Sequence, residues 1–255
     1  MRYLSDEEYE RYWDELGGVR KSIALDLATG DPALILDVAC GWGYYTFQLA
    51  SHNPSGIVVA VDLVPSAFTN MWRKQRAMGA PGNFEPLMAD ATHLPLRDKS
   101  FDLATSFLGM RDVHMTLGME GVERAIGELI RSARKTGCIA LAVTPPDIAD
   151  SEELKVAIEV EGAVFGAKSM PSTFFRELFQ GEGVKLISSK SYSTGVKMTS
   201  NQTRTELMDG IRIARETYKR NVSEFDEVWR KYGPIIERYG YGMYSKITVF
   251  VGKRL

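Results

Sequence analysis

Asp37, Gly41, Gly43, Asp62 and Asp90 are the residues whose types and spacing could do chemistry. The stretch Ile35-Leu-Asp-Val-Ala-Cys-Gly-Trp-Gly43 places Asp37 near the end of an apolar run and two glycines in the turn that follows. Glycines let a backbone approach a ligand closely, and a helix beginning there presents unpaired N–H groups. Asp62 closes a second apolar run 25 residues after Asp37. A carboxylate at that place can accept hydrogen bonds from both hydroxyls of a ribose. Asp90-Ala91 follows a third run. Each of these acids has a plainer reading as a helix cap or loop residue, and a Gly-x-Gly turn alone equally suits a tight connection. Acids at three successive strand ends nevertheless converge on the mouth of one crevice.

The elements that must position them follow from periodicity. Leu34–Val38 reads as a buried parallel strand, and Tyr44 to His52 as a helix. Ile57–Asp62 is a second strand. Pro65 suits the first turn of a helix running to Gly79. Phe84 to Ala89, Phe101 to Phe107 and Cys138 to Thr144 are further strands, with a helix predicted from Gly118 to Lys135. Strands alternating with helices imply an α/β fold, a doubly wound Rossmann-like parallel sheet covered on both faces. Val184 to Tyr192 and Ser245 to Val251 also read as strands, which makes the sheet seven-stranded. Two helices lie between them, Thr203 to Arg220 and Val222 to Tyr239, on the spacing of Leu207, Ile211, Ala214 and Tyr218 and of Phe225, Val228, Trp229 and Tyr232. At the amino end Ser5 and Glu8 form a capping-box pattern, and Tyr9, Tyr12, Trp13 and Leu16 line one helical face, with a break at Gly17-Gly18. The expected organisation is a single domain: an N-terminal lid helix in 1–30, a core of 33–194 and 244–255, and a helical insertion at 195–243.

The 255 residues carry 31 Lys+Arg against 33 Asp+Glu and are 44% hydrophobic, enough to bury a full core. The near-neutral charge supplies no general pull toward nucleic acid or an anionic membrane. Cys40 and Cys138 are too few and too far apart for a disulfide framework or zinc cluster, so no metal is expected. The acidic start does not resemble a signal peptide, and no apolar run reaches the roughly 20 residues of a membrane span. A cytoplasmic location is expected.

Asp37-Val-Ala-Cys-Gly-x-Gly43, then Asp62, then Asp90-Ala91 resembles the class I S-adenosylmethionine-dependent methyltransferases over roughly residues 33 to 145. Together with Phe107-Leu-Gly-Met-Arg-Asp-Val113 it is most similar to the ubiquinone/menaquinone C-methyltransferase (methyltransferase type 11) branch. That branch has Phe-Gly-Leu-Arg-Asn-Val after its fourth strand, whereas this chain has one more residue before Arg111 and Asp112 in place of Asn. The resemblance implies S-adenosylmethionine as cofactor and S-adenosylhomocysteine as product. It places Ala39, Gly41 and Gly43 against the methionine part and Asp62 on the ribose. Leu63 would pack on the adenine, with Asp90 and the Ala91 backbone at its amino group. Phe107 would lie near the sulfonium, and Asp37 would orient the loop or reach the methionine end through water. A dinucleotide fingerprint would want a third glycine at position 46, which is Thr46.

Methyl transfer from a sulfonium is an in-line displacement, so the protein contributes mainly alignment and a dry pocket. A base is needed only where the acceptor atom must lose a proton, and His114, one residue beyond the fourth-strand loop, is the candidate; the alternative is an exposed loop histidine. Arg111 and Asp112 could orient a polar acceptor or pair with each other. His52 and His93 are assigned no role. The Asn/Asp-Pro-Pro-Tyr element of exocyclic base methylation is absent, and neither cysteine is placed as a cytosine nucleophile. A small-molecule acceptor is therefore favoured over nucleic acid. The insertion carries nine Lys/Arg against seven Asp/Glu between Gly195 and Met243. It could cover the pocket mouth and shape the acceptor site, or pack on the sheet or build a homodimer interface. Two other functions stay open at this level: an NAD(P)-linked oxidoreductase, and a non-catalytic cofactor-binding protein.

Overall fold

A computed structural model describes residues 16–28, 32–216 and 218–255. Ser5, Glu8, Tyr9, Tyr12 and Trp13, which carry the predicted lid helix, lie outside the described residues.

Seven strands form one sheet in the order β3-β2-β1-β4-β5-β7-β6. They are β1 (Leu34–Val38), β2 (Ile57–Asp62), β3 (Phe84–Met88), β4 (Phe101–Phe107), β5 (Ala133–Val143), β6 (Val184–Ser193) and β7 (Lys246–Arg254). The first five are parallel to one another, and β7 runs antiparallel to β5. β1 is central, with Ile35, Leu36, Asp37 and Val38 all buried, as a strand covered on both faces must be. Because β2 leaves on one side of β1 and β4 lies on the other, the strand order reverses between β1 and β4. An open α/β sheet binds its ligands at such a point, beyond the carboxyl ends of the strands.

The chain divides into two compact units. The sheet unit holds 17–143, 173–191 and 248–255. Its helices are α1 (Gly17–Leu27), α2 (Tyr44–His52), α3 (Pro65–Met78), α4 (Gly109–Ser132) and α6 (Ser172–Gly181), the last beginning at the unit's edge. Phe47 meets Phe84 edge-on at 5.6 Å, and Phe175 stacks on Phe250 at 5.3 Å, so an aromatic cluster fills each end of the sheet's cover. The other unit holds Leu16, 144–172 and 192–247 among the described residues. It contains α5 (Glu152–Val160), a π-helical turn (Glu161–Phe165), α7 (Ser200–Glu216) and α8 (Phe225–Tyr239). Leu207, Ile211 and Ala214 are buried, as their spacing required. Tyr241, fully buried, donates its hydroxyl to Glu161 Oε1 at 2.6 Å, so the acid on the π turn is held inside the unit by a hydrogen bond. This unit draws on 144–172 as well as on the segment read as an insertion.

Helix α4 differs from the expected Gly118–Lys135. It starts at Gly109, and Gly118 (φ 69°, ψ −165°) marks a kink inside it. Arg111, Asp112 and His114 therefore sit on the first two turns of a helix, not in or just beyond a loop. The left-handed Leu108 (φ 60°) makes this abrupt entry into the helix directly from β4. Helices α5 and α6 carry no expectation from the sequence. Among the described residues no helix is long and apolar enough to cross a membrane.

Candidate cofactor and methyl-transfer site

The carboxyl ends of β1, β2, β3 and β4 frame the candidate site, and backbone bonds tie these strands to one another and to β5. Cys40 N–H donates to Val61 O at 3.0 Å, Ala89 N–H to Asp62 O at 3.1 Å and Leu108 N–H to Ala142 O at 2.9 Å. The β1 loop is left-handed at Ala39 (φ 58°), Gly41 (φ 54°) and Gly43 (φ 85°). At φ 85° any side chain on Gly43 is strained, and a Cβ there would also press on Met71 Cγ at 2.8 Å.

Asp62 is the hub. Its Oδ2 accepts from Gly41 N–H at 2.8 Å and its Oδ1 from Val64 N–H at 2.9 Å. One carboxylate thus fixes both the glycine loop and the turn after β2. Burial raises its pKa, the two backbone donors pull it back, and the charge of Asp112 raises it further. Each carboxylate oxygen has more than one acceptor lobe, so the bonds to Gly41 and Val64 still allow the carboxylate to accept from a diol.

Asp37, near the end of β1, is the second acid of the candidate site. It is buried and accepts from Thr46 Oγ1 at 2.6 Å. Burial pushes its pKa up to about 7, the Thr46 bond works against that, and Asp62 adds to it. The Cys40 thiol is pushed well up by burial and by the same two carboxylates, which keeps it protonated and inert. Thr46 was the residue that breaks a dinucleotide fingerprint. Its bond to Asp37, nine positions away, carries no signal in the spacing.

Asp90 Oδ1 accepts from Thr92 N–H and Thr92 Oγ1, both at 2.8 Å, which closes a tight turn after β3 and holds Ala91 in it. Leu63 and Met88 are each 60% exposed at the ends of adjacent strands, a notable amount for large apolar side chains. Met88, paired in register with Asp62, was not anticipated. Phe107 is the buried last residue of β4, where the strand read from the sequence ends, its ring 5.0 Å from that of Tyr45. Tyr45 and Phe107 make an apolar wall between α2 and β4.

Gly109, the first residue of α4, is a second close approach. A Cβ there would lie 2.4 Å from Ala39 Cβ and 2.9 Å from Ser106 Oγ, so α4 begins in contact with the β1 loop. Arg111, Asp112 and His114 on this helix are half-buried. Around the loop, the Arg73 guanidinium lies 5.8 Å from the Trp42 ring, and Arg20 lies 4.9 Å from the Tyr44 ring. Cations thus lie on the aromatics flanking Gly43, and carboxylates on the Asp62 side. Among the described residues no three His, Cys, Asp or Glu side chains are grouped as metal ligands.

This arrangement fits S-adenosylmethionine. The carboxylate hub suits a ribose, the exposed Leu63 and Met88 suit an adenine face, and the open glycine loop suits a chain that must pass close to backbone.

Comparison with known proteins agrees. A methyltransferase-domain family model matches residues 35–137. The chain is 30% identical over 121 residues to a demethylmenaquinone methyltransferase of Lactobacillus johnsonii, covering 47% of this chain and 46% of that one. It is 32% identical over 130 residues to a malonyl-[acyl-carrier protein] O-methyltransferase of Geobacter sulfurreducens, covering 49% and 44%. The chain thus spans about half the length of the curated relatives it matches. In fold it is similar to a geranyl diphosphate methyltransferase solved in complex with S-adenosylmethionine, with a TM-score of 0.55 at 12% identity, covering 93% of this chain and 85% of that one. The matched residues 35–137, which contain the whole clamp of Asp37, Gly41, Asp62 and Asp90, are a class I S-adenosylmethionine-dependent methyltransferase domain close to the ubiquinone/menaquinone C-methyltransferases.

Proposed function

We propose that this protein transfers the methyl group of S-adenosylmethionine to an O, N or C nucleophile of a small-molecule acceptor. The observation that carries the proposal is the Asp62 carboxylate held between Gly41 N–H and Val64 N–H at the point where the strand order reverses.

The cofactor, when bound, supplies a methyl already activated on a cationic sulfur. The chain's own residues then bind and align. Asp62 accepts from the ribose hydroxyls while keeping the glycine loop in place. Leu63 and Met88 enclose the adenine, and Asp90, braced by Thr92, accepts from its amino group. Ala39, Gly41 and Gly43 pass close to the methionine part. Tyr45 and Phe107 keep the reacting end dry, so that alignment rather than acid–base chemistry carries most of the rate. Where the acceptor atom carries a proton, His114 on the second turn of α4 takes it, and Arg111 orients a polar acceptor.

The relatives' names span demethylmenaquinone and, for an O-methyltransferase, malonyl-[acyl-carrier protein], so they do not choose the acceptor. The helical segment 195–243, read as a lid or an interface, is the proposed source of acceptor choice, and a homodimer belongs to the same proposal. The test is release of S-adenosylhomocysteine when the protein is given S-adenosylmethionine and fractionated small-molecule extracts. Turnover with one fraction, absent in Asp62→Ala, supports the reading. Cofactor binding with no turnover in any fraction would favour a non-catalytic role, and oxidation or reduction of NAD(P) would contradict the reading outright.

A further inference from the structure

Methyl transfer changes the charge of the cofactor: the C–S⁺ bond breaks, the methyl leaves to the nucleophile, the electron pair stays on sulfur, and a sulfonium becomes a neutral thioether. A side chain that senses this difference separates substrate from product. We infer that Asp112 is that side chain, a charge-selective residue that favours the sulfonium form over the demethylated product. The inference rests on the proposed function and deepens it.

The placement comes from helix geometry. Gly109 seats the start of α4 against Ala39, with Val38 O also at 3.5 Å from a Cβ built on Gly109. Asp112 is three positions on, so it lies on the same face of the helix as that contact, one turn away. The sulfur of the cofactor joins the ribose to the methionine chain, so on the proposed reading it would lie along the Gly41–Gly43 loop, next to Asp62. That is the loop on which α4 begins. The charge of Asp112 is felt at Asp62, which places it within electrostatic reach of the same spot. Asp112 also stands in the first turn of α4, where a helix's positive end stabilises a carboxylate. Asp62 and Asp112 then share one region, and a bound cation relieves their repulsion where a neutral ligand does not.

Three ligands separate the possibilities: S-adenosylmethionine, S-adenosylhomocysteine, and sinefungin, in which an amine-bearing carbon restores the positive charge without a methyl to transfer. Affinities are measured by calorimetry on wild type, Asp112→Asn and Asp112→Glu, with unliganded melting curves to show that each variant is folded. The expected result is that Asp112→Asn weakens S-adenosylmethionine and sinefungin by about 3- to 10-fold and S-adenosylhomocysteine by less than about 2-fold. Asp112→Glu should retain the preference. Equal weakening of all three ligands would place Asp112 on the shared amino group, and no weakening would leave it outside the site; either overturns the inference and leaves the methyltransferase reading standing. Failure of wild type to bind any of the three would instead remove the reading on which the inference rests.

Discussion

The carboxylate of Asp62 accepts a hydrogen bond from the backbone N–H of Gly41 at 2.8 Å, across 21 positions of sequence. Through this bond the residue that would read the ribose also builds the loop that would receive the methionine. The two functions share one side chain, so a substitution should damage both stability and binding.

Asp62→Ala should lower the stability of the unliganded protein by about 1–3 kcal/mol, because two backbone donors lose their acceptor in a largely buried place. Asp62→Asn keeps one acceptor oxygen and should lose less. Chemical denaturation of both variants without ligand checks the order.

Two glycines of α4 make opposite predictions. Gly109→Ala should destabilise by about 1–3 kcal/mol and weaken cofactor binding, since its Cβ would collide with Ala39. At Gly127 a Cβ meets nothing within 4 Å, so Gly127→Ala should be neutral or stabilising by up to about 1 kcal/mol. Melting temperatures of the pair, with and without S-adenosylmethionine, test the contact.

Asp37 sets a pH dependence. Its pKa rises from 3.8 unfolded to about 7 folded, chiefly through burial, so the folded state holds a proton that the unfolded state releases. This contribution is fully present below pH 3.8 and is lost as pH rises toward and through about 7. It amounts to at most about 4 kcal/mol. Asp37→Asn, which can still accept from Thr46, should flatten the fall in stability across that window, and urea titrations from pH 4.5 to pH 8 (roughly spanning it) read the slope. An unchanged slope would mean that Asp37 is not the group responsible.

In the other unit, Tyr241→Phe removes the donor to buried Glu161. It should cost about 1–3 kcal/mol, and Tyr241→Phe combined with Glu161→Gln should recover part of the loss. A double-mutant cycle on thermal stability measures the coupling.

The sheet was legible because its strands are short, apolar and bounded by turn residues: Leu34–Val38, Ile57–Asp62 and Phe101–Phe107 lie where alternation with helices put them. The seven-stranded, mostly parallel, Rossmann-like sheet follows from the same pattern. The stretch from Gly109 to Leu117 was not legible. Its glycine at the start and the Gly118 kink look like loop signals, while the helix is fixed by tertiary contact with Ala39. Helices α5 and α6 follow a Pro-Pro break, and their short apolar faces at Leu154, Ala157 and Val160 and at Phe175 and Phe179 went unread. At the candidate site, Asp37, Gly41, Gly43, Asp62 and Asp90 could be placed at neighbouring strand ends because strand ends converge in any sheet of this order. Thr46, Met88, Thr92 and Tyr45 could not, since their roles depend on which way side chains face once the sheet has formed.

The most direct measurement is a calorimetric titration of the wild-type protein with S-adenosylmethionine and, separately, NAD, repeated on Asp62→Ala. Wild type should bind S-adenosylmethionine in roughly the micromolar range, at least about tenfold weaker in Asp62→Ala, with no heat from NAD. Binding of NAD alone, or S-adenosylmethionine binding that is indifferent to Asp62, would contradict the assignment of the Asp37 to Gly43 loop and of the crevice beside it.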